Sequence, residues 1–519
     1  MAFSVQPARP TLTFTMQTKS NTLLLFLLTA VAAWAQYTPP SPALPVPGAI
    51  DDYLRSLDPE LKAWDFGINE RLRSEDKTAA GTTHAGSNFD FASAPPTTNS
   101  NDYWLSRLMV RAGYTGDWFS AVVEARSSYS FGDNRWNATA AGKGLTENDG
   151  PLQLELAYLQ VGNLKKFPVT VKVGRQELAY GDQRLVGPAF WLNTPHTFDA
   201  LKVRYQDAFF GVDLFVSGLV YTTGNHFNKS NSQDTLSGAY FDLPGLSKDN
   251  ITEAYLFARN VARGIVTDDW SNVPAPFRFT APQDTYTLGY RTKSKPGTLG
   301  PWDYTLEGMW QAGDRTAVFP ATTVAAAKVA PRLSQSAWAF VAQAGYTWTA
   351  AGALKPRVAL IVSGASGDHN STDLKSGTFM NLLPSNHGLY GAMDLSGLQN
   401  IIDYRLSASI KPSATTSLAV DLHQQYLQST SDYWYNIAGV PRNTPGATPG
   451  SGKGFGLNPG YSSNLGQEID LIAGWTVTRG LLLEGGLGHF FRGDYIKESF
   501  HAVGSKDANY VYVQATLNL

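Results

Sequence analysis

The sequence predicts an all-β fold: a single closed antiparallel barrel of about eighteen strands, built to sit in a membrane. Three observations lead there. A secretory leader opens the chain. Apolar and polar residues then alternate with period two over most of the remaining length. The connections between these runs are short and long by turns, as they are when successive strands return to opposite sides of a bilayer. The bulk numbers agree. The 519 residues carry 41 basic and 43 acidic side chains, a net charge of −2, and only 16% of them are charged. An ordinary soluble protein has roughly 25%. Glycine (48) and aromatics (12%) are abundant. Such a balance argues against a disordered chain, a coiled coil and a basic nucleic-acid binder. A mean hydropathy of −0.20 is too polar for a bundle of membrane helices. With no cysteine, a disulfide scaffold, a cysteine-based zinc site and a cysteine nucleophile are excluded.

Lys19 precedes the apolar run Leu23 to Ala33 (LLLFLLTAVAA), and Ala33-Trp34-Ala35 closes it. A basic start, a short apolar core and small residues at −3 and −1 make a signal peptide over residues 1–35, cleaved before Gln36. The run is far shorter than the roughly 20 residues a membrane helix needs. Met16 reads as the true start, because it gives a normal basic head. Residues 36–61 form a periplasmic linker, proline-rich over Gln36 to Gly48 and helical in pattern over Ala49 to Leu57. The barrel takes residues 62–519.

Its candidate strands are 62–73, 103–114, 118–130, 152–162, 169–176, 197–206, 211–221, 237–244, 251–262, 284–293, 302–313, 336–349, 356–367, 398–411, 416–428, 464–477, 481–491 and 508–519. The last puts Val511, Val513, Ala515, Leu517 and Leu519 on one face. Trp338, Phe340, Ala342, Ala344, Tyr346 and Trp348 do the same, with aromatics at the ends as in an interfacial girdle. The weakest strand, 237–244, follows from the alternation of connections. Without it, strand 251–262 would lie between two long loops. With it, and with a short turn at 245–250, nine long loops alternate with eight short turns.

Charges on the inward phase matter, because a charge facing lipid at mid-depth is costly. The predicted inward bases are Arg107, Arg111, Arg126, Lys172, Lys202, Arg204, Arg291 and Arg405. The inward acids include Glu124, Glu155, Asp403, Glu468 and Asp470, with Asp213, Glu307, Asp421 and Glu484. Two readings stand side by side. Internal ion pairs would brace a wide barrel, and an arginine-lined constriction would attract anions, guanidinium being suited to carboxylates by its bidentate fork. Barrels of about 16–18 strands leave an aqueous channel.

Two stretches carry a family resemblance. One comprises Gly174-Arg175-Gln176-Glu177-Leu178, Tyr180-Gly181-Asp182, Arg184-Leu185-Val186-Gly187, Trp191 and Thr197-Phe198-Asp199. The other comprises Ala365-Ser366-Gly367-Asp368, Gly377-Thr378-Phe379, Leu383-Pro384, His387, Tyr390-Gly391, Asp394-Leu395 and Gln399-Asn400. Together they resemble the alginate export family of outer-membrane proteins, over about residues 60–519. The resemblance implies a monomeric eighteen-stranded barrel of a diderm bacterium, with an electropositive pore and passive passage of an anionic polysaccharide or solute. Outer-membrane lipid would surround it, and a periplasmic export partner is compatible with it. Two points depart from the pattern. Leu519 ends the chain where barrels of this kind commonly end in an aromatic. Arg175, a pore candidate through the resemblance, falls on the outward phase by strict alternation and lines the pore only if a bulge lies nearby or if the strand has already ended.

No enzyme constellation stands out, and no cofactor, metal or energy-coupling domain is expected. Asp421, His423 and Gln425 share an inward face and read as a hydrogen-bonded luminal patch. Gly452, Gly454 and Gly456 lack the strand-to-helix context of a phosphate loop. Asn137-Ala138-Thr139 is a sequon by pattern only. A general small-solute porin, a barrel-embedded hydrolase and an adhesive surface barrel are the other functions considered.

Overall fold

The computed structural model describes residues 48–79, 89–93, 100–133, 149–221, 227–262, 283–316, 331–444 and 447–519. The predicted signal peptide, most of the predicted proline-rich linker and the Asn137 sequon lie outside them. A helix, α1 (Ala49–Leu57), precedes the sheet. Eighteen antiparallel strands then follow: β1 Trp64–Thr78, β2 Ser100–Thr115, β3 Phe119–Phe131, β4 Asp149–Val161, β5 Val169–Gln176, β6 Phe198–Gln206, β7 Gly211–Tyr221, β8 Lys229–Asp242, β9 Asn250–Val261, β10 Gln283–Ser294, β11 Trp302–Thr316, β12 Arg332–Thr347, β13 Arg357–Ala365, β14 Ile401–Ile410, β15 Thr416–Leu427, β16 Asn464–Thr476, β17 Leu481–Arg492 and β18 Ala508–Asn518. A two-residue strand, Lys375–Ser376, runs parallel beside Ser334 and Gln335. A second helix, α2 (Asp494–Ser499), follows β17.

Each strand pairs with its neighbours in sequence, and β1 closes the sheet on β18 from Asn69↔Asn518 to Lys77↔Tyr510. Closure leaves no edge. In hydrocarbon each unpaired N–H or C=O costs several kcal/mol, so a sheet can cross a membrane only when closed. The lipid face is apolar. Val110, Val123, Leu214, Leu256, Leu288, Leu306, Leu360 and Val513 are all exposed on the outward phase. Aromatic rings gather at the short-turn rim, where Trp64 lies 5.2 Å from Tyr114 and Trp302 4.8 Å from Tyr346. Trp310 faces Trp338 across β11 and β12, nearer the other rim.

The eighteen strands and the alternation of short turns with long loops match the expectation. The boundaries differ most at the weakest strand. Expected at 237–244, β8 runs from Lys229 to Asp242. Its first half is polar (KSNSQD) and shows no alternation of hydrophobicity, because strand pairing there is carried by backbone bonds above the lipid band. For the same reason β1 runs on through the charged stretch Arg73 to Thr78, past the expected end at 73.

Candidate lumen constriction

Charged side chains lie on the inward phase of β2, β3, β6, β10, β14 and β16. Arg107, Glu124, Arg126, Arg291, Asp403, Glu468 and Asp470 are all buried within the barrel. Glu155 is the extra residue of a bulge, where Glu124 faces Leu156 and Ala125 faces Leu154. The bulge lets Glu155 turn inward and accept from Arg126 Nε at 2.6 Å.

Arg175 stands apart from these residues. The register places Arg175 opposite Asp199, on the outward phase shared with Val173 and Leu201. Its fork binds the Asp199 carboxylate at 2.8 and 3.1 Å, and Ser230 Oγ donates to the same carboxylate. The adjacent Gly174, at φ 114, kinks the strand without reversing its phase.

Several inward bases pair with inward acids. Arg111 Nε meets Asp65 at 2.8 Å. Lys202 and Arg204 meet Asp213 at 3.1 and 2.9 Å, and Arg204 also meets Asp242 at 2.7 Å. Arg291 binds Glu253 and Asp182. Arg405 meets Asp421 at 2.6 Å. Burial acts to raise the Asp182 carboxyl, but Arg291, Arg184 and Lys293 outweigh it and hold the group below its usual range. Two bases have no carboxylate partner among the described residues. The Lys172 ammonium lies 3.6 Å from the Tyr158 ring centre. Arg107 donates to the carbonyls of Phe190 (2.8 Å) and Leu192 (3.0 Å), and its buried Nε has no hydrogen-bond partner.

These carbonyls belong to the loop 177–197 between β5 and β6, which turns into the barrel instead of standing above it. Arg71 Nη1 donates to Phe190 O at 2.7 Å, Arg73 Nη1 to Trp191 O at 2.8 Å, and Arg126 Nη1 to Asn193 O at 3.2 Å. A second loop, 366–400 between β13 and β14, turns inward as well. Gln311 exchanges two bonds with the Met380 backbone, at 2.7 and 2.9 Å. Gln425 donates to Tyr390 O at 2.7 Å. Glu468 and Asp470 accept from the amides of Met393 (2.8 Å) and Ala392 (3.0 Å). Asp421, His423 and Gln425 thus form the expected hydrogen-bonded patch: His423 Nδ1 lies 2.9 Å from Asp403, and Gln425 holds the loop.

The two loops join inside the barrel. Gly187 N donates to Leu383 O, Leu383 N to Leu185 O, and Ser385 N to Gln183 O, all at 2.8–2.9 Å. Gln183 and Ala189 in the first loop, and Asp394 and Asn400 in the second, sit at φ between 49° and 59°. Each such residue costs roughly 1 kcal/mol or more, so the surrounding contacts must over-determine the path. Tyr180, Leu185, Val186, Phe379, Leu383 and Tyr390 pack with Phe215, Tyr240 and Phe257 of the wall into one apolar core. Between the loops lies a cavity of about 90 Å³, lined among others by Trp191, Pro195, His196, Leu382, His387 and Asp394. Burial first, then Arg259, holds the His196 imidazole down to about 4. Burial, reinforced by Glu155, pushes the Glu177 carboxyl up to about 7.

Arg71 and Arg73 are absent from the predicted set. Both lie inside the expected strand 62–73, and the alternation Arg71, Arg73, Glu75, Lys77 that marks their inward face runs on past its expected end. Among the described residues, no group of three or more histidine or acidic side chains is placed to hold a metal ion.

No curated protein sequence matches this chain. The model of the family described as alginate export matches residues 66–512. Three solved structures are similar over 88% of this chain and 99% of theirs. They are OccK9 (OpdG) of Pseudomonas aeruginosa, at 10% identity and a TM-score of 0.50; OccK5 (OpdH) of the same organism, at 10% and 0.49; and a BenF-like porin from Pseudomonas fluorescens Pf-5, at 12% and 0.49. Likeness at this level of identity concerns the fold.

Proposed function

Because the chain belongs to the alginate export family of outer-membrane barrel channels, we propose that it passes anionic solutes or an anionic polysaccharide passively across the outer membrane. The observation that carries this reading is the lining of β1 to β3. Arg71, Arg73, Arg107, Arg111 and Arg126 all point inward there, Arg73, Arg111 and Arg126 in contact with Glu75, Asp65 and Glu155. Arg107 spends its donors on neutral carbonyls, so its charge is not cancelled by a carboxylate at contact. Lys172 adds a further unpaired cation. In a lumen walled by low-dielectric protein such charges attract carboxylates and repel cations. The leader over residues 1–35 would deliver the chain to the periplasm, and the barrel would act as a monomer. A periplasmic export partner fits the same reading.

A second reading, a general small-solute porin, draws on the paired bases. Lys202, Arg204 and Arg291 are neutralised by Asp213, Asp242, Glu253 and Asp182, which leaves part of the wall balanced in sign. Permeability ratios for chloride over potassium separate the two readings. A clear preference for chloride supports the first, and a ratio near unity supports the second.

A further inference from the structure

The segment Phe190 to Asn193 offers four successive backbone carbonyls to arginines of the barrel wall. Phe190 O accepts from Arg71 (2.7 Å) and Arg107 (2.8 Å). Trp191 O accepts from Arg73 (2.8 Å) and Arg71 (3.1 Å). Leu192 O accepts from Arg107 (3.0 Å) and Arg71 (3.2 Å). Asn193 O accepts from Arg126 (3.2 Å) and from Ser128 Oγ (2.6 Å). Four guanidiniums thus converge on oxygens that carry only partial charge, although Arg73 and Arg126 also bind Glu75 and Glu155 through their Nε.

We propose that Phe190–Asn193 is an internal stand-in for the transported polymer, occupying a carboxylate-binding row of arginines until a polyanion displaces it. The proposal rests on the anion pathway proposed above. Three observations carry it. Guanidinium binds a carboxylate more strongly than a neutral carbonyl, because the bond is charge-assisted and can be bidentate. The Arg107 Nε is buried and unpartnered, so the loop leaves part of that fork unused, and a carboxylate can use it. The loop is also held in a strained path, with Ala189 at φ 52 immediately before the contact. Release of the segment relieves that strain.

The loop is tethered, so its effective concentration at the arginines is high, and a single carboxylate competes poorly against it. Several carboxylates on one chain compete well. The device therefore selects for a polymer over a monomer of the same chemistry.

The chain has no cysteine, so one introduced thiol can be labelled alone. Phe190 is 43% exposed while its carbonyl makes the contact, so a spin label on Phe190→Cys reports the loop without replacing a donor. The full-length protein in liposomes is titrated with a hexuronic acid oligomer, with monomeric hexuronate at equal carboxylate concentration, and with a neutral maltooligosaccharide of the same length. Block of ion current is recorded on the same preparation. The expected result is a shift of the label from immobile to mobile with the hexuronate oligomer alone. In Arg107→Gln, which loosens the loop as well as the oligomer, the half-saturating concentration rises by about tenfold, the margin of a carboxylate over a neutral carbonyl at that guanidinium. A label that stays immobile while the oligomer blocks current overturns the stand-in and leaves the anion pathway intact. A label that stays immobile with no block overturns both. Equal mobilisation by the neutral oligomer overturns charge exchange as the cause.

Discussion

Trp191 lies flat on His387, with ring centres 3.6 Å apart and planes 3° from parallel. The guanidinium carbon of Arg73 sits 3.7 Å from the centre of the same indole. Two groups at that distance cannot share one face of a ring, so the indole is sandwiched between the barrel wall and the second loop. His387 in turn holds the Asp394 carboxylate at 2.9 Å. A single side chain therefore ties β1, loop 177–197 and loop 366–400 together in the lumen.

Trp191→Ala removes one aromatic stack and one cation–π contact, together about 1–3 kcal/mol of loop docking. The expected outcome is larger and more flickering single-channel conductance with the barrel still folded. An unchanged current trace would mean that the loops do not set the channel's width.

Gln425→Ala removes the side-chain donor to Tyr390 O and the acceptor of the Ser396 hydroxyl, which keeps its bond from Trp434 Nε1. The second loop should lose about 1–3 kcal/mol of local stability. Amides 388–396 should exchange faster with deuterium, while those of β14 and β15 stay protected.

His196 should weaken the docking of loop 177–197 in acid, while Glu177, held up to about 7 in the docked loop, acts in the opposite sense over the same window. His196 has a depressed value of about 4 in the docked state, against an ordinary 6.5. A released loop takes up the proton below about 6.5, and the docked loop resists it until about 4. The His196 contribution to docking is therefore complete above 6.5 and is lost as pH falls toward 4, by at most about 1.4 kcal/mol per pH unit. Exchange of amides 194–197, corrected for intrinsic rates, should rise in the wild type relative to His196→Gln as pH falls over that window.

Val513 is 61% exposed at the middle of β18. If it meets the bilayer core, Val513→Arg costs about 2–4 kcal/mol of barrel stability in lipid. Arg substituted near the strand end, at Leu517, should cost about 1 kcal/mol or less. The denaturant midpoint of heat-modifiable folded band on a gel measures both.

Much of the barrel was legible in the sequence, because period-two alternation across a lipid band is a direct record of which face each residue meets. Arg107, Arg126 and Asp470 could be placed inward from their neighbours alone. Pairing was not legible, since whether Arg204 meets Asp213 depends on cross-strand register and on Gly211-to-Asp242 packing. The polar half of β8 carried no signal, because strand above the bilayer need not alternate. The inward turn of loops 177–197 and 366–400 was equally hidden. It depends on contacts such as Arg71 to Phe190 O, between residues 119 positions apart. The two most distinctive motif blocks fall largely on these loops, so the resemblance pointed at the constriction without disclosing that the loops fill it. Arg175 shows the opposite case. Its outward phase was readable, although the family motif drew it inward.

The most direct test of the anion pathway is the reversal potential of the refolded protein in a planar bilayer under a potassium chloride gradient. The account predicts chloride preference, reduced in Arg107→Ala and Lys172→Gln and reduced less in Arg204→Ala, whose charge is already offset by Asp213 and Asp242. A cation-selective channel, or an anion preference that none of these substitutions moves, would contradict it.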